Sequence, residues 1–444
     1  MIKEAKHITF IPFTQLVNWD AKFYIGNVET ISSKQFPLVT FGHFTKKAEI
    51  EKVKIEDNKE YEILGVRSYG LGTYRNRVSK GSNLKMKVYQ QAKQDHLFWC
   101  KVDTKNGAFG IISKDLKNGL GSSNMTFAEL NLSIIDTNYL QILFRSKKLH
   151  DYMDNMVTGS TNRKYIKFSE LLTNVKIPLP SIDEQNKLVA EYNKLINLAT
   201  EQEEQAIAKE NEIEEYIIDS LDIKITRNKK KNKLNFIYFK DTSRWDIPFF
   251  INENITGMSS KYPMITYNSL IVSIKNGIAA RNYAPTGLRF LKVTDIKNNS
   301  VSNNSCFYIN KYEDDDILPI DSLLITRKGT VGQSTIIREK NKYCASSEVF
   351  IIQLNKSLVN LEYFSEMNLS KFIQQQFVER YTGTIMPSMS QDKLKTIKIP
   401  LPPIEIQNKI ATHISELKEE IRKLRTSAVD NRKNALINFE ERIF

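Results

Sequence analysis

Cysteine is scarce: in 444 residues there are only Cys100, Cys306 and Cys344, far apart and with no paired spacing. That excludes a disulfide framework and a zinc ribbon. No apolar run approaches the roughly 18 residues a membrane helix needs, and the opening MIKEAKHITFIPF has no continuous apolar stretch of the kind a secretory signal carries. The expectation is a soluble, cytoplasmic chain with no membrane partner. Catalytic signatures are missing as well. GTVGQST at 329–335 lacks the lysine and the spacing of a phosphate-binding loop, and Gly70 with Gly72 makes half a dinucleotide fingerprint with no third glycine. The single Pro-Pro pair, Pro402-Pro403, is followed by Ile404 rather than an aromatic, unlike the motif of an adenine methyltransferase. His7, His43, His96, His150 and His413 are scattered, and metal binding has no support. Asp183 and Glu184 beside Lys187 imitate nuclease carboxylates, but they sit on a first helical turn, where acids favour the dipole.

What is present is a folded composition, 41% hydrophobic with 26% charged residues, on a length that implies two to four domains. The net charge of +13 is unevenly placed: residues 1–181 carry +10, 182–222 carry −9, 223–403 carry +11 and 404–444 carry +1. Two basic bodies thus alternate with two short acidic or neutral segments, which points to two polyanion-binding modules.

The chain also repeats itself. KIPLPSIDEQNKL at 176–188 returns as KIPLPPIEIQNKI at 398–410, with nine identities. Tyr139, Ser146, Lys147, Thr158 and Gly159 match Tyr363, Ser370, Lys371, Thr382 and Gly383, and NWDAKFY at 18–24 matches RWDIPFF at 244–250. Three blocks in the same order describe a tandem duplication. Residues 60–130 and 270–350 show no convincing alignment, so a shared frame is expected to carry divergent inserts, as two readers of different ligands would. Neutral drift in surface loops is the plainer explanation.

After each IPLP the period changes. Pro178, Pro180, Pro400 and Pro402 predict a short extended lead-in. Ser181 with Glu184 then reads as a capping box, and Pro403 suits a first helical position. Positions 188, 192, 195, 199, 202, 206, 209 and 213, and their counterparts from 410 to 435, step by four and three with mostly apolar residues. No Gly or Pro interrupts 182–222 or 404–444, so each predicts one helix of about 40 residues, ~60 Å long. Gln202, Lys209 and Asn431 place polar groups in the seam and set register. An acidic helix beside one rich in Arg422, Lys423, Arg425, Arg432 and Lys433 favours antiparallel pairing of the two. KITRNKKKNK at 224–233 reads as a solvated basic linker.

Each body reads as sheet-rich α+β. YEILGVRSY (61–69), GAFGIIS (107–113), RFLKVTDI (289–296), SLLITRKGTV (322–331) and EVFIIQL (348–354) predict short strands, and 136–156 and 360–380 predict helices ended by the glycines of Thr158-Gly159 and Thr382-Gly383. Segments that mix glycine with basic and amide side chains suit a DNA face, because glycine admits the backbone to phosphate and the side chains reach base edges. They nominate Arg67, Ser68, Tyr69, Arg75, Arg77, Lys80, Lys85, Asn162 and Arg163 in the first body. In the second they nominate Lys275, Asn276, Arg281, Asn282, Arg327, Lys328 and Ser388. Each taken alone is more readily a solvated surface residue or a phosphate contact than a base reader; the signal is collective.

The doubled IPLPxIxxQNK with its long helix, the preceding Thr-Gly segment and the Trp-Asp opening each unit resemble the specificity subunit of Type I restriction-modification systems. GVRSYG with GAFG, and ITRKGTVG with ASSEVF, are also similar to target-recognition sequence of that family. The resemblance implies two tandem target recognition domains joined by two long helices packed as an antiparallel coiled coil, with pseudo-twofold symmetry. The expected boundaries are 1–180 and 235–402 for the recognition domains, 181–222 and 403–444 for the spacer helices, and 223–234 for the linker. It implies a non-catalytic subunit in which each domain reads one half of a bipartite asymmetric site on double-stranded DNA. The helices would fix the spacer and dock two methyltransferase subunits for adenine methylation, and a restriction-translocase subunit can join. No cofactor is expected on this chain; S-adenosylmethionine would sit on the methyltransferase. A stand-alone nuclease would instead act on DNA without partners, and a structural coiled-coil adaptor would show no salt-dependent DNA binding.

Overall fold

A computed structural model describes residues 31–101, 107–156, 168–227, 255–279, 283–304, 306–383 and 386–444. The chain packs as two units, one of residues 1–202 with 426–444 and the other of 203–425. The Trp-Asp blocks at 18–24 and 244–250, the Thr158-Gly159 pair and residues 228–233 lie outside the described residues.

In the first unit a four-stranded antiparallel sheet runs in the order 45–47, 125–130, 97–100, 109–111. A five-stranded sheet follows the order 52–54, 88–91, 120–121, 60–66, 73–80, which leaves 73–80 at an edge. Leu38–Thr40 pairs antiparallel with Lys176–Pro178, with Val39 opposite Ile177. The helices are α1 (Thr137–Leu143), α2 (Lys147–Met156), α3 (Phe168–Asn174) and the N-terminal half of α4 (Ile182–Leu221). The second unit repeats this frame. Its four-stranded sheet has the order 271–276, 349–354, 323–326, 334–336, and Met264–Thr266 pairs with Lys398–Pro400, with Ile265 opposite Ile399. Its helices are α5 (Tyr267–Leu270), α6 (Leu361–Leu369), α7 (Lys371–Arg380), α8 (Gln391–Lys395) and the N-terminal half of α9 (Ile404–Ile443).

This corrects one expectation. Residues 97–130 and 323–354 share sheet order and strand positions although their side chains do not align. Both are central strands buried on two faces, where Leu97, Phe98 and Trp99 do the work of Leu323, Leu324 and Ile325. Only hydrophobicity is specified at such positions. The real divergence is in the added sheets. The second unit carries, in place of five strands, a three-stranded sheet of 307–309, 288–291 and 343–345, with 288–291 and 343–345 parallel.

The repeated motif residues explain the frame. Asp136 and Asn360 cap α1 and α6 by accepting from the Tyr139 and Tyr363 amides at 2.8 Å. The hydroxyls of those two tyrosines donate to the carbonyls of Pro178 and Pro400, each at 2.7 Å. Gln185 is fully buried: its Oε1 accepts from the Asp136 amide at 2.7 Å, and its Nε2 donates to Ile134 O and Pro180 O at 2.9 Å. Gln407 repeats the set with the Asn360 amide, Leu358 O and Pro402 O. Each IPLP–Gln cassette therefore locks a long helix to the cap of a short one.

Ser181 Oγ accepts from the Glu184 amide at 3.4 Å, but the Glu184 carboxylate goes to Arg442 at 2.9 Å, so only half of the expected capping box forms. The predicted helices 136–156 and 360–380 are each two helices, separated at Phe144–Ser146 and at Ser370. Gly383 does not end α7; Tyr381 already turns extended at its C-cap, and Gly383, at φ +95°, serves the turn that pairs Thr382 with Ser388. The stretch read as a linker begins with a strand, Lys224–Arg227, paired with Ile255–Ser259.

Within each unit α4 and α9 run antiparallel, partners rising in number on one helix as they fall on the other. In the first unit Glu184 and Glu191 meet Arg442, while Gln202 accepts from Asn431 and donates to Ser427, both at 2.9 Å. In the second unit Lys209 pairs with Glu420, and Glu210 with Arg425 at 2.9 Å. Each core takes its own helix start and the other helix's end. Leu188, Tyr192, Ala435, Phe439 and Ile443 join the first core, and Ile217, Leu221, Ile410 and Ile414 the second. The carboxylates of Glu440 and Glu214 further accept from the first amides of α2 and α7, at Lys147 (2.8 Å) and Lys371 (3.0 Å). Among the described residues, no helix is long and apolar enough to cross a membrane.

Candidate nucleic-acid interface

In the first unit the candidate residues gather on one hairpin. Strands Glu60–Val66 and Thr73–Lys80 pair antiparallel, with Asn76 bulged out between Arg75 and Arg77. Arg67, Ser68 and Tyr69 lie in the connecting loop. The Arg67 amide donates to Gly72 O at 3.0 Å, and its guanidinium stacks over the Tyr74 ring at 4.9 Å. Tyr69, at φ +59°, is 61% exposed. Gly70 is where glycine is required: a Cβ there would stand 2.1 Å from the Phe144 carbonyl oxygen. Its amide donates to Gly107 O at 2.9 Å and its carbonyl accepts from Gln141 Nε2 at 2.6 Å, so the loop is tied down at its centre.

Arg75 and Arg77 point from the exposed edge strand. Arg75 is ion-paired with Glu62 at 3.0 Å. Among the described residues Arg77, Lys80, Lys85 and Lys328 pair with no carboxylate, so their charge is available to an anion. Lys80 sits at the far end of the hairpin, opposite Glu60, and Lys85 follows a short 3-10 turn at 81–83; neither is beside the loop. A charged edge strand also serves to block strand-to-strand aggregation. Asn162 and Arg163, and in the second unit Arg281 and Asn282, lie outside the described residues.

In the second unit the structure brings Asn276, Arg327, Lys328 and Ser388 together. Lys328 and Ser388 form an antiparallel bridge, the Met389 amide donates to Arg327 O at 2.8 Å, and Gln391 Nε2 donates to Asn276 Oδ1 at 3.2 Å. Arg327 is half-buried. Its guanidinium donates to Met389 O (3.3 Å) and Ser347 O (3.1 Å) and covers Phe350, so it ties two loops together. Lys275 Nζ donates to the Asp315 carbonyl.

Two features escaped the sequence. Leu71, on the loop beside Tyr69, is 54% exposed. Lys292 lies over Phe307 at 3.3 Å and Tyr283 at 4.4 Å, forming a basic and aromatic cluster from three separate strands and loops. Neither residue pattern is local enough to be read from the chain. Burial pushes the Cys344 thiol up to about 12.

The family model for the Type I restriction modification DNA specificity domain matches residues 275–430. The type I restriction enzyme MjaVIII specificity subunit of Methanocaldococcus jannaschii is 21% identical over 72% of this chain and 73% of its own length. The MjaX specificity subunit of the same organism is 24% identical over 93% of this chain and 85% of its own. Over most of its length the chain is thus similar to Type I restriction-modification specificity subunits. The fold is similar as well: a solved chain from work on complex assembly and conformational transition of the type I R-M system superposes with a TM-score of 0.58 at 12% identity, covering 93% of this chain and 97% of that chain. The family model matches most of the second unit and most of α9; the first unit of the chain carries the same cassettes at Tyr139, Pro178 and Gln185.

Proposed function

We propose that the two recognition domains each read one half of a bipartite, asymmetric DNA site, the first through the 67–77 hairpin with Lys80, Lys85, Asn162 and Arg163, the second through Lys275, Asn276, Arg281, Asn282, Arg327, Lys328 and Ser388. The observation that carries this reading is one frame with two different added sheets. Identical cassettes keep each unit's scaffold, while five strands in one and three in the other give two unlike surfaces. Unlike surfaces read unlike half-sites. The recognition domains span 1–180 and 235–402, with α4 and α9 as spacer helices.

The two helices set the unread spacer and, with adjoining surfaces, dock two methyltransferase subunits that hold S-adenosylmethionine and methylate adenine. A restriction-translocase subunit completes the restriction enzyme. The chain works in the cytoplasm, where its DNA is. Basic residues supply sequence-independent affinity through phosphate, and the loops supply discrimination.

Co-expression with the neighbouring genes, followed by mapping of modified bases in the host DNA, tests this directly. The expected motif has two short halves and a fixed gap. Exchanging residues 235–397 for another member's second domain changes one half only; change in both halves, or a continuous motif, refutes the modular reading.

A further inference from the structure

The tip of the first unit's hairpin presents two large side chains, Tyr69 and Leu71, 61% and 54% exposed, on a loop that cannot relax away from that pose. Tyr69, Gly70 and Gly72 all have left-handed backbones, at φ +59°, +63° and +84°. A bulky aromatic residue at positive φ is strained, and such strain persists only when its surroundings over-determine it. Here they do. Gly70 is pressed against the Phe144 carbonyl, hydrogen-bonded by its amide to Gly107 and by its carbonyl to Gln141, and Gln141 Oε1 is itself held by the Ile111 amide at 3.1 Å. Folding alone gains nothing from holding a leucine in water at the tip of a hairpin whose loop and edge strand carry Arg67 and Arg77.

We infer that Leu71 is a specificity-determining contact to the C5-methyl of a thymine in the half-site read by the first unit. This rests on the DNA-reading function proposed above. The Arg67 and Arg77 guanidiniums of the same hairpin suit a polyanion, and an aliphatic side chain has no hydrogen bond to offer a base edge. The thymine methyl is the apolar group that the major groove displays. Gln141 is a positioning residue: it holds the loop from α1 and touches no DNA.

The test uses the full complex of this chain with its methyltransferase subunits and duplexes carrying the mapped site, with deoxyuridine replacing thymidine one position at a time. One replacement, in a single half-site, should weaken binding about fourfold, the worth of one buried methyl. Leu71→Ala should bind the thymidine and deoxyuridine duplexes equally, and its mapped motif should become degenerate at that position with the other half-site unchanged. Gln141→Leu, which keeps Leu71 and frees the loop, should lower the same ratio without abolishing salt-dependent binding. The inference is overturned by wild-type indifference to every deoxyuridine, by a Leu71→Ala complex that keeps the preference, or by equal loss on both duplexes, which marks an apolar wedge. Loss of methyltransferase co-purification in Leu71→Ala with an unchanged motif also overturns it, marking a protein contact. Absence of any sequence-selective, salt-dependent binding sinks the DNA-reading function itself, whereas selective binding without a methyl effect sinks only this assignment.

Discussion

Gln185 and Gln407 show how one buried polar side chain can join three segments. Each satisfies three backbone groups that folding removes from water, and leaving such a group unpaired costs about 1 to 3 kcal/mol. Gln407→Leu should therefore destabilise the second unit by roughly 2 to 4 kcal/mol in denaturant unfolding, leaving the amides and carbonyls of 358–360 and 402 unanswered. A loss below about 0.5 kcal/mol would mean that water replaces it. The identity of these glutamines was legible as a repeated letter, and their burial was not. A Gln on a first helical turn is ordinarily solvated. Only the IPLP segment folding across the helix start closes it off. The DNA candidates divide the same way: Arg67 and Arg77 were legible as basic residues near glycine, whereas the strut role of Arg327 and the exposure of Leu71 depend on partners dozens of residues away.

At the scale of elements, α2 and α7 each begin on a carboxylate borrowed from a long helix. Glu214 caps α7 through the Lys371 amide, and burial raises its pKa above the usual 4.5 despite that hydrogen bond. In the window from 4.5 up to the raised value the folded state binds more proton than the unfolded state, so stability falls as pH rises through it. Glu214→Gln should flatten that slope in thermal or denaturant unfolding measured across the mildly acidic range; an unchanged slope would show that other groups set it. The long helices were legible end to end because the four-three period and the absence of Gly and Pro leave no alternative. The breaks at Phe144–Ser146 and Ser370 were not, since no proline or glycine marks them and tertiary packing decides the turn. The common four-stranded sheet was hidden too, because β-strands buried on both faces accept any apolar residue.

At the scale of the whole molecule, both α4 and α9 divide between the units, N-terminal half in one and C-terminal half in the other. The antiparallel register is keyed by Gln202 with Ser427 and Asn431 and by Lys209 with Glu420. Inserting one turn in both helices, within 199–209 and within 420–431, should lengthen the spacer by the ~5.4 Å of a helical turn, about one to two base pairs, with both half-site sequences kept. Mapped methylation showing an unchanged gap would remove the helices as rulers. The sequence by itself determined the duplication, the two long helices, the basic character of both bodies and the resemblance to specificity subunits, because periodicity, charge and repeated motifs survive as local patterns. The tertiary structure alone decided which helix half completes which core, that the two units share a central sheet, and which side chains of a loop reach solvent. Those outcomes are set by contacts between residues distant in the chain, and close packing within each unit selects among arrangements that the local pattern leaves equivalent.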